Sequence, residues 1–195
     1  MTVNFNQKIF DSEDQQYFIT SDLHFYHKNV INFCSEHRPF ETLEQMHEYL
    51  INHWNSKVGK NDVIFHLGDF SFAAKEKTAE LIEQLNGNII WICGNHDLKV
   101  FNQLGIKYHH YLEVRYEGKK IVMCHYPIGS WNRQSHGSLH AHGHSHGMYA
   151  NSQGKMHDVG WDNNGKILTL KEFVEIADSN EICTSDLHRT IRNEI

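Results

Sequence analysis

The chain has 195 residues, enough for one domain and too few for two of ordinary size. With 39% hydrophobic and 22% charged residues it can build a packed core, so disorder is excluded as the default state. The net charge of −6 disfavours a strongly basic nucleic-acid binder, and no apolar run approaches the ~20 residues of a membrane-spanning helix. The polar N-terminus also lacks a secretory apolar region, so the expectation is a cytoplasmic protein of one domain over 1–195 that makes no membrane contact.

In chain order, Tyr17-Phe18-Ile19-Thr20 is the first of several short apolar runs that end in polar turns, here Ser21-Asp22-Leu23-His24. Thr42-Leu43-Glu44-Gln45 reads as a capping box, and Leu43, Met46, Leu50, Ile51 and Trp54 follow at helical spacing as one apolar stripe. Val63 to Leu67 runs into Gly68-Asp69. A second helix is expected from Lys75 to Leu85, with Ala79, Leu81, Ile82 and Leu85 inward and a stop at Asn86-Gly87. Asn88 to Cys93 runs into Gly94-Asn95-His96-Asp97, and a short helix is expected over Leu98 to Leu104.

Glu113 to Tyr116 and Lys119 to Cys124 flank Glu117-Gly118 as a hairpin, and the second arm runs into His125-Tyr126-Pro127. Lys166 to Ile176 reads as a late strand entering a mixed segment, Glu172 to Asn180 as a solvated acidic face, and the tail from about 178 to 195 as a loose terminus. Near-continuous apolar runs suit strands buried on both faces, and α/β sheets place their chemistry just past the strand ends.

Histidine is abundant at 17 copies, spread through the interior with a knot at His140, His142, His144 and His146. The four cysteines form no C-x-x-C pair and read as reduced thiols, mostly apolar fillers, so a disulfide framework or a cysteine-ligated zinc finger is not expected. The strand-end residues Asp22, His24, Asp69, Asn95, His96, His125, His144 and His146 form a carboxylate, imidazole and amide set. Such a set favours borderline divalent metals over calcium. It exceeds what one four-coordinate site needs; two ions ~3.5–4 Å apart, bridged by one carboxylate, would use it fully.

Asp22-x-His24, Gly68-Asp69, Gly94-Asn95-His96-Asp97, a lone His125 after a strand and Gly143-His144-x-His146, in that order, resemble the calcineurin-like metallophosphoesterases. The resemblance runs from about 18 to 162. Ser21 to Asn29, His66 to Phe70 and Arg38-Pro39-Phe40 resemble the small phosphoesterases of bacteria and their phages. It implies an α/β fold with a two-sheet β-sandwich flanked by helices in four layers.

It also implies two divalent ions, Mn2+ first, with Fe, Zn, Ni or Co as other occupants. Asp22, His24 and His146 would hold the first ion, Asp69 would bridge, and Asn95, His125 and His144 would hold the second. His96 would be the phosphate contact and general acid, and Asp97 would orient it. His27 and Arg38 follow the first motif as candidate substrate contacts, with a solvated surface as the other reading; Ser130 to Arg133 is a candidate lip over the site. His142 reads as a neighbour of the ligands, His66 as a buried histidine, His136 and His140 as surface or loop residues, and His157 to Asp162 as structural.

The implied activity is hydrolysis of phosphate esters by hydroxide held between two dications, with nucleotide-type phosphodiesters first. The alternatives are a phosphomonoesterase acting on nucleotides, sugars or phosphoproteins and, of another class, a metal-binding scaffold without turnover. A nuclease for single-stranded ends would call for a basic groove near Lys28, Arg38 or Arg133. The partner is a small phosphate ester, and the acidic balance argues against duplex nucleic acid.

Overall fold

A computed structural model of the chain describes residues 15–150 and 153–184. The expected loose tail therefore lies, from residue 185 on, outside the described residues. The elements are β1 (Tyr17–Thr20), α1 (Val30–Phe33), α2 (Leu43–Lys57), β2 (Val63–His66), α3 (Lys75–Glu83), β3 (Asn88–Ile92), α4 (Leu98–Leu104), β4 (Tyr108–His109), β5 (Tyr111–Tyr116), β6 (Lys119–Cys124), β7 (Leu139–His142), β8 (Met156–Asp158), α5 (Trp161–Asn164), β9 (Leu168–Thr169) and α6 (Leu170–Asp178). Among them, no helix is long and apolar enough to cross a membrane.

Two sheets are stacked. The first has the order β4-β3-β2-β1-β9, parallel except for β9; the second has the order β5-β6-β7-β8, with only the β5–β6 pair antiparallel. Side-chain alternation assigns each face. Phe18, Ile64 and Trp91 pack under Met46, Leu50 and Trp54 of α2, Leu81 of α3 and Phe101 of α4. Tyr17, Ile19, Val63, Phe65 and Ile92 face Leu112, Val114, Ile121, Met123, Leu139 and Ala141 of the second sheet. Burial on both faces is why these strands read as continuous apolar runs.

Local chemistry sets most element ends. Thr42 Oγ1 accepts from Gln45 N at 3.2 Å, while Gln45 Oε1 reaches Glu41 N, one residue before the cap. The hairpin turns on Glu117 (φ 46°) and Gly118 (φ 80°), the two left-handed residues that a two-residue turn between twisted strands requires. In α3 it is Thr78 with Leu81 that is buried, and the helix ends at Glu83 with Leu85 packed beyond it.

The expected late strand is instead the two-residue β9 followed by the nine-residue α6. Thr169 and Glu172 close a full capping box, which starts the helix immediately after two residues have paired with β1. Leu170, Phe173 and Ala177 then enter the core between the sheets. The acidic stretch is thus the outer side of a packed helix, and Asp178 takes both Lys119 (2.6 Å) and Lys155 (2.8 Å).

The outer face of the second sheet is covered by the segment after β6. Trp131 packs there with Val122 and Met156, and its Nε1 donates to Ser138 O at 3.2 Å. The segment Ser130 to Arg133 is therefore a cover for the sheet at Trp131 rather than a lip over the site. His140 lies beneath Trp131, with ring centroids 5.1 Å apart, and is fully buried, a correction to its expected surface position: alternation along β7 turns it to this face. Its ring is satisfied by Val122 O (3.1 Å) and Ile128 N (3.1 Å). None of the four cysteines is in a disulfide; Cys93 is buried and the others are half-buried.

Burial pushes the His66 and His140 pKa values down to about 3. A histidine depressed in the folded state contributes stability that is present above its unfolded pKa of ~6.5 and is lost as pH falls towards the folded value. Each should remove about 2 kcal/mol of stability between pH 8 and pH 5. Urea midpoints should therefore fall over that range, and His140→Gln should flatten the slope relative to wild type; equal slopes would contradict the assignment.

Candidate metal centre

Five of the residues singled out by sequence sit on left-handed backbone at the ends of parallel strands: Asp22 (φ 57°), His24 (52°), Asp69 (55°), His144 (66°) and His146 (48°). Each such non-glycine residue costs about 1–2 kcal/mol, so the surroundings must hold it there. The loops after β1 and β2 are laced together by Asp22 N to Gly68 O (2.9 Å), His24 N to Asp69 O (3.1 Å) and Phe25 N to Phe70 O (2.9 Å). A Cβ at Gly94 would collide with the Asp69 carboxylate, and one at Gly143 with Asp22 Oδ2 and Ser21 Oγ. The glycines let the backbone approach these carboxylates directly.

The side chains form two adjoining groups. Asp22, His24 and His146 offer ligand atoms within 4.8 Å of one another, as do Asp69, His125 and His144. Asp69 reaches towards both: its Oδ1 is 3.7 Å from His125 Nε2 and its Oδ2 is 3.9 Å from His24 Nε2. Asn95 Oδ1 lies 2.9 Å from His125 Nε2 and 3.1 Å from His144 Nδ1, which attaches it to the second group. His24 and His146 stack at 5.0 Å.

This arrangement is short of protons. Asp22 Oδ1 and both ring nitrogens of His24 are buried without a hydrogen-bond partner, and Asp22 Oδ1 faces His24 Nε2 at 3.6 Å. His125 Nδ1 lies 2.7 Å from Leu67 O, so its proton goes there and a bare Nε2 is left facing Asn95 Oδ1. Unsatisfied buried polar atoms cost about 1–3 kcal/mol each. Converging lone pairs of oxygen and imidazole nitrogen are what a divalent cation needs, so the residues fit such an ion. Burial alone would raise the Asp22 carboxyl, but the imidazole of His24 beside it, foremost among its neighbours, holds it well below the usual carboxylate range.

Behind the ligands lies a set of buried clamps. Asp162 Oδ2 bonds His146 Nδ1 at 2.6 Å, which keeps His146 Nε2 facing Asp22 (4.0 Å) and raises the His146 pKa. Arg38 is fully buried and grips Asp162 with Nε (2.6 Å) and Nη2 (3.1 Å). It also donates to Asp22 O (2.6 Å) and Leu23 O (2.9 Å). Asp158 Oδ2 takes Ser145 Oγ (2.8 Å) and Gly147 N (2.9 Å), fixing the turn that carries His144 and His146. Cys34 Sγ approaches His146 Nδ1 at 3.6 Å, but burial raises its thiol to about 11 and Asp162 already occupies that nitrogen.

Two expected roles are corrected. Arg38 does not face a substrate; its guanidinium is consumed by Asp162 and two carbonyls. Asp97 does not orient His96; its carboxylate is filled by the N–H groups of Asp69 (2.7 Å), Phe70 (2.9 Å) and Gly94 (2.9 Å), which locks the β2 and β3 loops together. His96 stands at the rim with its side chain 45% exposed, its Nε2 3.9 Å from Asp69 Oδ2 and its ring 4.5 Å from Phe72. His27 packs edge-on against Phe72 (4.4 Å), close to the site, with Nδ1 buried and unpartnered.

His142 is buried on the outer face of the second sheet, 5.5 Å from His140, and bonds Gly143 O at 3.0 Å; His66 is packed on the helix side, among Trp54, Phe70 and Trp91. Asp162 was legible only as part of a structural segment, and Phe72 carried no signal. A basic pocket at Arg133, with Arg115, Lys119, Lys120 and Lys155, lies at the start of β6 to β8, the opposite end of that sheet from the site.

Residues 16–170 match the calcineurin-like phosphoesterase superfamily domain. The chain is 37% identical over 131 residues to an uncharacterized protein of Methanocaldococcus jannaschii, spanning 66% of this chain and 68% of that one. A crystal structure of a protein of unknown function from Aquifex aeolicus superimposes with a TM-score of 0.63 at 22% identity, covering 83% of this chain and 99% of that one, and so shares the fold.

Asp162→Ala strands the buried Arg38 charge and releases His146. It should destabilise the protein by about 3–5 kcal/mol in urea unfolding and weaken divalent-ion binding by ~10–100-fold in competition titrations. Asp162→Asn, which keeps one acceptor, should lose less of both; wild-type ion affinity in the two variants would remove the clamp from the account.

Proposed function

Because the chain belongs to the calcineurin-like phosphoesterase superfamily, we propose that it is a metal-dependent hydrolase of phosphate esters, acting first on phosphodiesters of nucleotide type. The observation that carries the reading is the Asp69 carboxylate, which has one oxygen within 4 Å of each histidine group. Asp22, His24 and His146 would hold one ion, Asn95, His125 and His144 the other, and Asp69 would lie between them. Mn2+ suits this oxygen and nitrogen set.

Divalent ions held by these residues would supply charge that neutralises the phosphate oxygens and makes water a stronger nucleophile near neutral pH. The chain's own part is orientation and proton delivery. Asp162 and Leu67 O keep the metal-facing nitrogens of His146 and His125 directed inward. His96 is half-exposed at the rim, its ring packed on Phe72 and its Nε2 3.9 Å from Asp69 Oδ2. Protonated at Nε2, it gives its proton to the leaving oxygen as the P–O bond breaks, a contribution typically worth ~10²–10⁴-fold. The preferred partner is a small ester; the net charge of −6 supports this over duplex nucleic acid.

His96→Ala should keep wild-type metal content by elemental analysis and lose most turnover. Asp69→Ala should lose metal as well. A fully active His96→Ala on every ester that wild type cleaves would falsify the proton-donor role. Mn2+-loaded protein should turn over diesters faster than the matched monoesters. The reverse order would favour a phosphomonoesterase, and inertness towards all esters a scaffold.

A further inference from the structure

Beside His96 a groove of about 480 Å³ opens between the start of α3 and the outer side of α4. Its walls include Phe72, Lys75, Glu76, Lys99 and Gln103, and His96, with Nε2 3.9 Å from Asp69 Oδ2, joins it to the site. None of the clamps or metal-facing residues uses it. Its volume is within the range of small-molecule sites, ~300–1,000 Å³.

Phe72 is a large apolar ring left 38% exposed at the point where the groove meets the site. One part of it is already engaged, packed against His96 (4.5 Å), His27 (4.4 Å) and His24 (5.5 Å), which fixes the ring in place. Further along, Lys99 makes no ion pair with any described residue, whereas Lys75 has Glu76 at 3.8 Å. A fixed aromatic ring followed by an unpaired cation suits a base followed by a phosphate.

We propose that this groove is the leaving-group subsite and that Phe72 and Lys99 select a nucleotide leaving group, the base lying on Phe72 and its phosphate at Lys99. The inference rests on the hydrolase reading above, and the position of His96 sets the polarity. A proton donor must stand beside the oxygen that departs, so what fills a groove starting at His96 is the departing alcohol. Water gives up one proton to solvent and adds its oxygen to phosphorus, the P–O bond to the nucleotide breaks, and the departing oxygen takes the His96 Nε2 proton, which solvent then restores. The products are the phosphorylated remainder and a free nucleotide.

The test compares a 5′-phosphorylated dinucleotide, whose departing half leaves through its 3′ oxygen and carries its own 5′-phosphate, with a nucleoside methyl phosphodiester, whose leaving group is too small to reach the groove. Phe72→Leu, which keeps apolar packing on the histidines, and Lys99→Gln should each raise the dinucleotide KM about tenfold, as expected for losing one stacked base or one charge-assisted hydrogen bond. In each variant the ratio of methyl-ester to dinucleotide kcat/KM should rise about tenfold over wild type. Calorimetry of the full-length, Mn2+-loaded protein with adenosine 5′-monophosphate should show a matching loss of affinity in both variants.

Equal KM changes on both esters, or none on either, would overturn the subsite while leaving the hydrolase intact. If wild type cleaves neither ester, the hydrolase reading fails. The calorimetric arm then decides the groove by itself: tenfold weaker binding in both variants supports it, and equal or absent binding overturns it.

Discussion

Carboxylate and imidazole lone pairs crowd one sheet edge with too few protons between them. Asp22 Oδ1 and the His24 nitrogens are buried and unpaired, and Asn95 Oδ1 faces two ring nitrogens. Left alone, such a cluster would repel itself and open to water. Much of the surrounding architecture resists that opening. The same shortage of protons makes the edge receptive to cations, so what would be a folding liability becomes a binding capacity.

The resistance comes from buried groups whose bonds run to backbone. Asp97 gathers three N–H groups from two loops, Arg38 ties Asp162 to the carbonyls of Asp22 and Leu23, and Asp158 fixes the turn before Gly147. These bonds hold five left-handed residues that their own side chains disfavour. Strain of that kind persists only when several independent contacts specify the same geometry, and here they come from both sheets. The glycines at 94 and 143 serve the same end by letting chain and carboxylate touch.

The layers determine what surrounds the site. Helices α2, α3 and α4 cover the first sheet, and because α3 and α4 begin just after the β2 and β3 loops, the space between them opens beside His96. On the other side, the second sheet delivers His125 and the His144–His146 turn from parallel strands β6 and β7. The site is thus a seam between two sheets, with one flank left open as a groove.

Much of the framework was legible in sequence, because apolar runs and caps are local properties. The strands at Tyr17, Val63, Asn88 and Lys119, the helix capped by Thr42 and the turn at Glu117-Gly118 all depend on neighbours a few residues away. The types and order of the strand-end residues were legible for the same reason. Helix α6 was not, since a two-residue strand leading directly into a capped helix looks like one longer apolar run. Nor were the partners of Arg38 and Asp97 or the burial of His140. An arginine meets an aspartate 124 residues away only after two sheets have stacked. A carboxylate's choice between an imidazole and three backbone N–H groups is decided by distances that no single segment contains.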